Sequence, residues 1–332
     1  MIYDRHLQYP PSNYSIRLHR STYVPLLSYL DIDEKSFRKT VAVGTHIQEP
    51  TEGSLQCHRG RLENLLRAEN TIHSNKKVIS VKLDDGPGGV VVHFEDGEIL
   101  ETSFLVGCDG PHSETRKNLC AESRLQALSY LVVNGKRRLP ATGVRSAFAA
   151  GIPPPRHVFE DANSGFRLEI KVNNVTESHV DISDTYSRAA IGDYQDCHEP
   201  ERLNREATKI PKTFFEDLKV IRNLEPPFDQ MYPNDARLLH WLMRTVRPDS
   251  TEVRELARKG VVMIGDAIHA EPILGGEGAN NAILDAIELS KCIDEDGADK
   301  SGFVASRIDI WQESLDRCEK RLAKMHVSEK SV

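Results

Sequence analysis

The chain has little that could hold it together covalently and nothing that resembles a membrane anchor. Its six cysteines, Cys57, Cys108, Cys120, Cys197, Cys292 and Cys318, are scattered without a C-x-x-C pair. That pattern excludes a zinc ribbon or a dense disulfide framework and fits reduced thiols in a cytoplasmic protein. No run approaches the ~18 apolar residues that a membrane helix needs. The opening residues MIYDRHLQYPPSNYS contain no basic segment followed by an apolar stretch, so the sequence predicts neither secretion nor a membrane span. The sequons at Asn13 and Asn174 are then read as chance. The 43 basic residues are dispersed and outnumbered by 50 acidic ones, giving a net charge of -7 and no basic stripe for a phosphate backbone, so no nucleic-acid partner is expected. Metal sites are missing too. His269-Ala270-Glu271 has the H-x-E spacing of zinc deaminases but no P-C-x-x-C follows, and Asp294-Glu295-Asp296-Gly297 lacks the spacing of a calcium loop. There is no internal repeat and no low-complexity tract.

With these classes set aside, 332 residues at 39% hydrophobic content suffice for one large or two smaller globular units. Met1 to Asp4 read as the tail of a strand, broken by Tyr9-Pro10-Pro11-Ser12-Asn13. Leu62, Leu65 and Leu66 have helical spacing, with Arg59 at or before the first turn. Three β-branched runs, Val78–Leu83, Val90–Phe94 and Ile99–Val106, are separated by turn residues and predict a meander. The third run ends at Gly107-Cys108-Asp109-Gly110, after which Ser113 is a candidate N-cap for a helix reaching Leu119. The middle of the chain mixes strand-like stretches (166–172, 179–183, 238–246) with a helical stretch near 211–223 and proline breaks at 152–155 and 226–227. The last third predicts a strand over 260–264, a helix over 279–293 and an amphipathic helix over 308–325.

Between the strand at 260–264 and the helix at 279 lies the most informative segment. Gly275, Gly276 and Gly278 stand directly before a helix N-terminus, where unpaired N–H groups and the positive end of the helix dipole are presented. Glycine lets backbone approach a ligand closely, and Asp266 at the end of the strand can accept hydrogen bonds from sugar-like hydroxyls. Such a loop suits a planar polar ligand that must carry negative charge.

The stretch Gly265-Asp266-Ala267 with His269, Pro272, Gly276, Gly278, Ala279, Asn280 and Asp285 resembles the Gly-Asp motif of the single-component FAD-dependent monooxygenases, the para-hydroxybenzoate hydroxylase-like group. Gly107-Cys108-Asp109-Gly110-Pro111-His112 with Arg116 resembles the Asp-Gly motif of the same family, and Arg59 with Leu62 its R-x-x-L helix. The resemblance covers nearly the whole chain and has the texture of fungal secondary metabolism. It implies an α/β fold: an FAD-binding Rossmann-like domain in two parts, 1–121 and 260–332, around an inserted α+β substrate domain over 122–259.

Residue by residue, the resemblance implies that Asp266 binds the ribityl hydroxyls and that Gly278 and Ala279 offer N–H groups to the pyrimidine edge of the flavin. It places Arg59 along the flavin and Asp109 near the cofactor. Arg116 is expected to brace its turn, His269 to be packed, and Pro272 to wall the ring. Cys108 stands where the family has a small alanine, and Glu277 where glutamine is common, which adds a charge near the flavin. Asp4 takes the position of the acid that binds the adenosine ribose. The G-x-G-x-x-G unit that opens the family, and normally cradles the FAD pyrophosphate, does not precede Met1. Tyr186 and Arg188, on an expected strand, could face the substrate but are read first as core or surface residues, and no catalytic base is assigned. The implied activity is NAD(P)H- and O2-dependent hydroxylation or epoxidation of a small organic molecule. A truncated homologue or binding protein without redox activity is the alternative reading.

Overall fold

The computed structural model describes residues 1–7, 14–43, 53–84, 89–142, 156–161, 165–190, 214, 216–217, 219, 238–294 and 300–326. In chain order, β1 (Ile2–Tyr3) and β2 (Ser15–His19) lead to helices α1 (Arg20–Tyr29) and α2 (Glu34–Val41), then β3 (Ser54–His58) and α3 (Arg59–Arg67). Next come β4 (Ile72–His73), β5 (Val78–Leu83), β6 (Val90–Phe94), β7 (Ile99–Thr102), β8 (Leu105–Gly107) and α4 (Glu114–Leu119). Strands β9 (Leu125–Pro140), β10 (Arg156–Asp161), β11 (Phe166–Val175), β12 (His179–Ala189) and β13 (Leu238–Val246) build the middle. The chain then runs through α5 (Ser250–Arg258), β14 (Val261–Met263), the single turn α6 (Asp266–His269), α7 (Gly278–Asp294) and α8 (Lys300–Met325).

Two parallel pairs carry the α/β character. β1 lies beside β4, and β8 beside β14 with Val261 opposite Leu105 and Met263 opposite Gly107. A short parallel strand covered on both faces needs apolar residues without alternation, and Val261, Val262 and Met263 are all at least 95% buried. They share a core with Val90, Val92 and Phe94 of the meander and with Phe303, Ile308 and Trp311 of α8. Gly260 enters β14 with φ +79, and a Cβ there would stand 2.2 Å from the Ser103 carbonyl oxygen, so only glycine fits. The expected third run of the meander divides here. Thr102 Oγ1 accepts the Phe104 N–H and donates to the Phe104 carbonyl, a local turn that competes with the ladder. β7 therefore stays with β6, and β8 crosses to β14.

The middle of the chain is a five-stranded antiparallel sheet in the order β10-β11-β12-β9-β13. Alternation gives it two faces. Leu168, Ile170, Val180, Ile182 and Tyr186 point into one core cluster. On the opposite face Val132 packs with Met243, Leu274 and Leu322, and so against the loop before α7 and the end of α8. This arrangement puts one face of the sheet over the turns that follow β8 and β14. The expected helical stretch near 211–223 and the proline breaks lie mostly or wholly outside the described residues.

Candidate functional site

Because β8 and β14 are parallel neighbours, the turns at their C-terminal ends stand side by side, which is where α/β sheets hold ligands. After β8, Asp109 caps α4. Its carboxylate accepts the N–H groups of Glu114 at 2.8 Å and Thr115 at 3.1 Å and the Ser113 hydroxyl at 2.6 Å. Ser113 is the N-cap as expected, its hydroxyl accepting the Arg116 N–H at 2.9 Å. Asp109 thus fixes the shape of the turn. Arg116 is almost wholly buried and bonds the Pro111 carbonyl and, across the gap, the Ala267 carbonyl, both at 2.6 Å. It ties one turn to the other, which is the bracing the sequence suggests.

After β14, Gly265 adopts φ +57 and a Cβ there would meet the Ala282 methyl at 3.0 Å, so the turn lies hard against α7. The next residue, Asp266, is open to solvent along one side and crowded by protein on the others. Loss of hydration raises its pKa, opposed by the charges of His269 and Arg59 and reinforced by Glu271. Its carboxylate makes no hydrogen bond to the described residues. Asp266 Oδ1 would lie 3.5 Å from a Cβ on Gly278, so the acid faces the first residue of α7 across a gap with no side chain in it. The backbone N–H groups of Gly278, Ala279 and Asn280 find no acceptor among the described residues, while Asn281 N–H closes the first helical turn on the Glu277 carbonyl at 2.9 Å.

The turn is held from below by a buried carboxylate. Asp285 of α7, fully buried, accepts the Gly265 N–H at 3.0 Å, lies 2.5 Å from His269 Nε2, and accepts Arg307 Nε at 2.9 Å and Trp311 Nε1 at 2.8 Å. Burial acts to raise the Asp285 carboxyl pKa, yet the hydrogen bond and charge of His269, with Arg307 and Trp311, hold it below the ordinary value. The His269 ring is stacked on Trp311, a packed histidine as the sequence suggests. Asp285, Arg307 and Trp311 were not legible as a unit, because they are brought together only by the packing of α8 on α7.

Arg59 is the first residue of α3, capped by His58. It pairs with Glu63 at 2.7 Å, sits 5.0 Å from the Tyr14 ring centre, and its charge reaches Asp266. Asp4 follows β1, pairs with Arg67 at 2.9 Å and accepts the His6 N–H at 2.9 Å. It stands near the Asp109 turn, since burial and the charges of Asp109 and Asp4 together raise the Cys108 thiol. Asp4 and Asp109 thus lie near one another after β1 and β8, while Arg59 at the start of α3, Asp266 after β14 and Gly278, followed by Ala279, at the start of α7 form a second group. Glu277, whose charge stands near the helix N-terminus, lies 3.0 Å from His19 Nε2 and so has a partner on β2. Asn280 ties the same strand to α7, accepting the His19 N–H at 2.9 Å and donating to the Arg17 carbonyl at 3.1 Å. Tyr186 and Arg188 turn away from this site and meet Asp217 in the sheet's core.

An unpartnered acid, a side-chain-free gap and free N–H groups at a helix start thus stand together at the ends of β14 and α7. Residues 233–296 match the family model described as the FAD binding domain. The chain is 31% identical over 261 residues to the FAD-dependent monooxygenase aptC of Emericella nidulans, covering 75% of this chain and 61% of that protein. It is 30% identical over 253 residues to the FAD-dependent monooxygenase adaC of Aspergillus niger, covering 72% and 60%. The chain thus spans about three fifths of the length of these curated relatives. Among solved structures it resembles a putative FAD containing monooxygenase from Photorhabdus luminescens (TM-score 0.68, 18% identity, 99% of this chain and 91% of that one). It also resembles Klebsiella pneumoniae HpxO complexed with FAD and uric acid (TM-score 0.66, 15% identity, 99% and 83%). By sequence the chain is similar to FAD-dependent monooxygenases, and it shares the fold of the FAD-containing structures above. No helix among the described residues is long and apolar enough to cross a membrane.

Proposed function

We propose that the chain holds FAD and, with NAD(P)H and O2, hydroxylates or epoxidises a small organic molecule in secondary metabolism. The observation that carries this reading is the Asp266 carboxylate, unpartnered and facing the free N–H groups of Gly278 and Ala279 across a gap. That donor and acceptor set fits the flavin's ribityl hydroxyls and pyrimidine edge. When bound, FAD supplies the redox chemistry, taking a hydride from the nicotinamide and activating oxygen.

The chain's own residues bind, orient and exclude water. Asp266 accepts from the ribityl chain, and Gly278 and Ala279 donate at the α7 N-terminus, where the helix dipole favours negative charge. Arg59 lies along the cofactor beside Asp266, and Asp109 shapes the turn on its other side. Asp4, already paired with Arg67, serves the adenosine ribose with a remaining acceptor position. Residues 122–259 form the unit that selects substrate, set over the turns held by 1–121 and 260–332.

The test is a visible spectrum of the purified chain after FAD is added and unbound cofactor removed, followed by NADPH oxidation with candidate substrates. Flavin absorbance should co-elute with the protein and be lost in Asp266→Ala. Absence of flavin from the unmodified chain, or an Asp266→Ala variant that retains it fully, overturns the reading.

A further inference from the structure

A cleft lies at the ends of β8 and β14 that point away from the Asp109 and Asp266 turns. Phe104 and Gly260 stand immediately before these two parallel strands, whereas the two turns follow them. The cleft has a volume of about 610 Å³ and is lined by both residues, by Asp84 after β5, by Arg258 and Lys259 at the end of α5, and by Lys300 at the start of α8. A strand rises about 3.3 Å per residue, so β14 alone, Val261–Met263, puts about 10 Å between this place and the Asp266 turn. The two sites are separate.

Three cations line the cleft against one acid, and they are not neutralised within it. The side chains of Arg258, Lys259 and Lys300 make no ion pair or hydrogen bond to any described residue, and neither does the Asp84 carboxylate. Lys300, half-buried, instead holds its Nζ over the Phe104 ring, 5.4 Å from the centre. That contact covers the cleft's aromatic face, so the lining offers charge rather than a stacking platform. The carbonyls ending α5 do not oppose an anion, because they are already engaged. The Lys259 N–H takes those of Glu255 and Leu256 at 3.3 and 2.9 Å, the Gly260 N–H takes that of Ala257 at 3.2 Å, and the Gly260 carbonyl accepts the Leu105 N–H at 2.8 Å. Lys300 opens α8, whose first turn adds the positive end of a helix dipole.

We propose that this cleft binds a polyphosphate chain, with Arg258, Lys259 and Lys300 as its cationic contacts. The cations come from two helices on different sides of the cleft. A di- or triphosphate spreads charged oxygens along its length and can meet all three, Arg258 through its planar fork and the lysines as point charges, whereas a lone carboxylate cannot. Inorganic polyphosphate and a nucleoside triphosphate share this chemistry. With Phe104 already covered by Lys300, the phosphates rather than a base carry the binding. The proposal stands independently of the flavin reading.

Calorimetric titration of the full chain, supplemented with FAD in magnesium-free, low-salt buffer, uses inorganic tripolyphosphate and ATP as probes. Tripolyphosphate should bind one to one, and ATP within about 5-fold of it. Arg258→Gln and Lys300→Gln should each weaken tripolyphosphate about 3- to 10-fold, the range of a charge-assisted contact partly screened by solvent. Asp84→Asn should strengthen it about 2- to 5-fold, a gain that misfolding cannot mimic. Lys39→Gln, which removes an exposed cation of α2 outside the cleft, should change it by less than about 2-fold. No binding of tripolyphosphate overturns the proposal, as does an Asp84→Asn variant that binds no better than the parent. Equal losses in Lys39→Gln and Lys300→Gln would reduce the effect to net charge and overturn it. Affinity that falls in proportion to added FAD would place the phosphates in the flavin site and overturn it as well. ATP binding without tripolyphosphate binding overturns it in favour of base recognition.

Discussion

Asp285→Asn tests whether the cofactor turn is held by one buried charge. Four groups converge on this carboxylate: the Gly265 N–H at 3.0 Å, His269 Nε2 at 2.5 Å, Arg307 Nε at 2.9 Å and Trp311 Nε1 at 2.8 Å. An asparagine keeps one acceptor oxygen and puts an NH2 where the other was, so it must point donors at donors. It also leaves the Arg307 charge buried, since Arg307 is only 6% exposed. Removing one partner of such a pair costs about 3–5 kcal/mol, whereas replacing both with apolar groups is often neutral. Asp285→Asn should therefore lose about 3–5 kcal/mol in urea unfolding followed by Trp311 fluorescence. Asp285→Leu combined with Arg307→Met should recover at least ~1 kcal/mol relative to Asp285→Leu alone. Because the folded Asp285 pKa is depressed, its contribution is present above the ordinary aspartate value of about 4 and is lost as pH falls through the lower folded value. An Asp285→Asn loss below ~1 kcal/mol, or a double variant that shows only summed losses, refutes the reasoning.

Burial raises the Asp266 pKa while flavin hydroxyls would favour its carboxylate, so FAD affinity should rise with pH through that raised value and level off above it. Fluorescence-quenching titrations across the acid range check this, and affinity that is flat or rises on acidification contradicts it. Arg116→Met removes two bonds to carbonyls of neighbouring turns and should cost about 2–4 kcal/mol while weakening FAD binding. A variant as stable as the parent would show that the two turns do not depend on each other. Gly260→Ala places a methyl 2.2 Å from the Ser103 oxygen at positive φ, so soluble expression should collapse. Wild-type yield and thermal midpoint would count against the close approach of β14 to residue 103.

The elements around the site were the most legible in the sequence. The run at 261–263, the helix after Gly278 and the Ser113 cap announce themselves because glycine, serine and apolar periodicity act locally. The Thr102 turn that divides β7 from β8 was hidden, since a threonine hydroxyl overrode a continuous β-branched run. α1, α2 and α5 were not anticipated, and β9 escaped notice because Asn134, Lys136 and Arg138 interrupt its apolar pattern on the face turned to the cofactor side.

Helix α8 has one further consequence. In its first half Arg307 and Trp311 reach the Asp285 carboxylate under the turn after β14, and just past its end His326 meets Ser187 of β12 at 2.8 Å, its ring tilted against Tyr130 of β9 at 5.0 Å. About 28 Å of one continuous rod therefore connects Arg307 to His326. Anyone transplanting the sheet into another scaffold must move the final turns of α8 with it. The exchangeable module is defined by that rod's two attachments, not by where the strands stop.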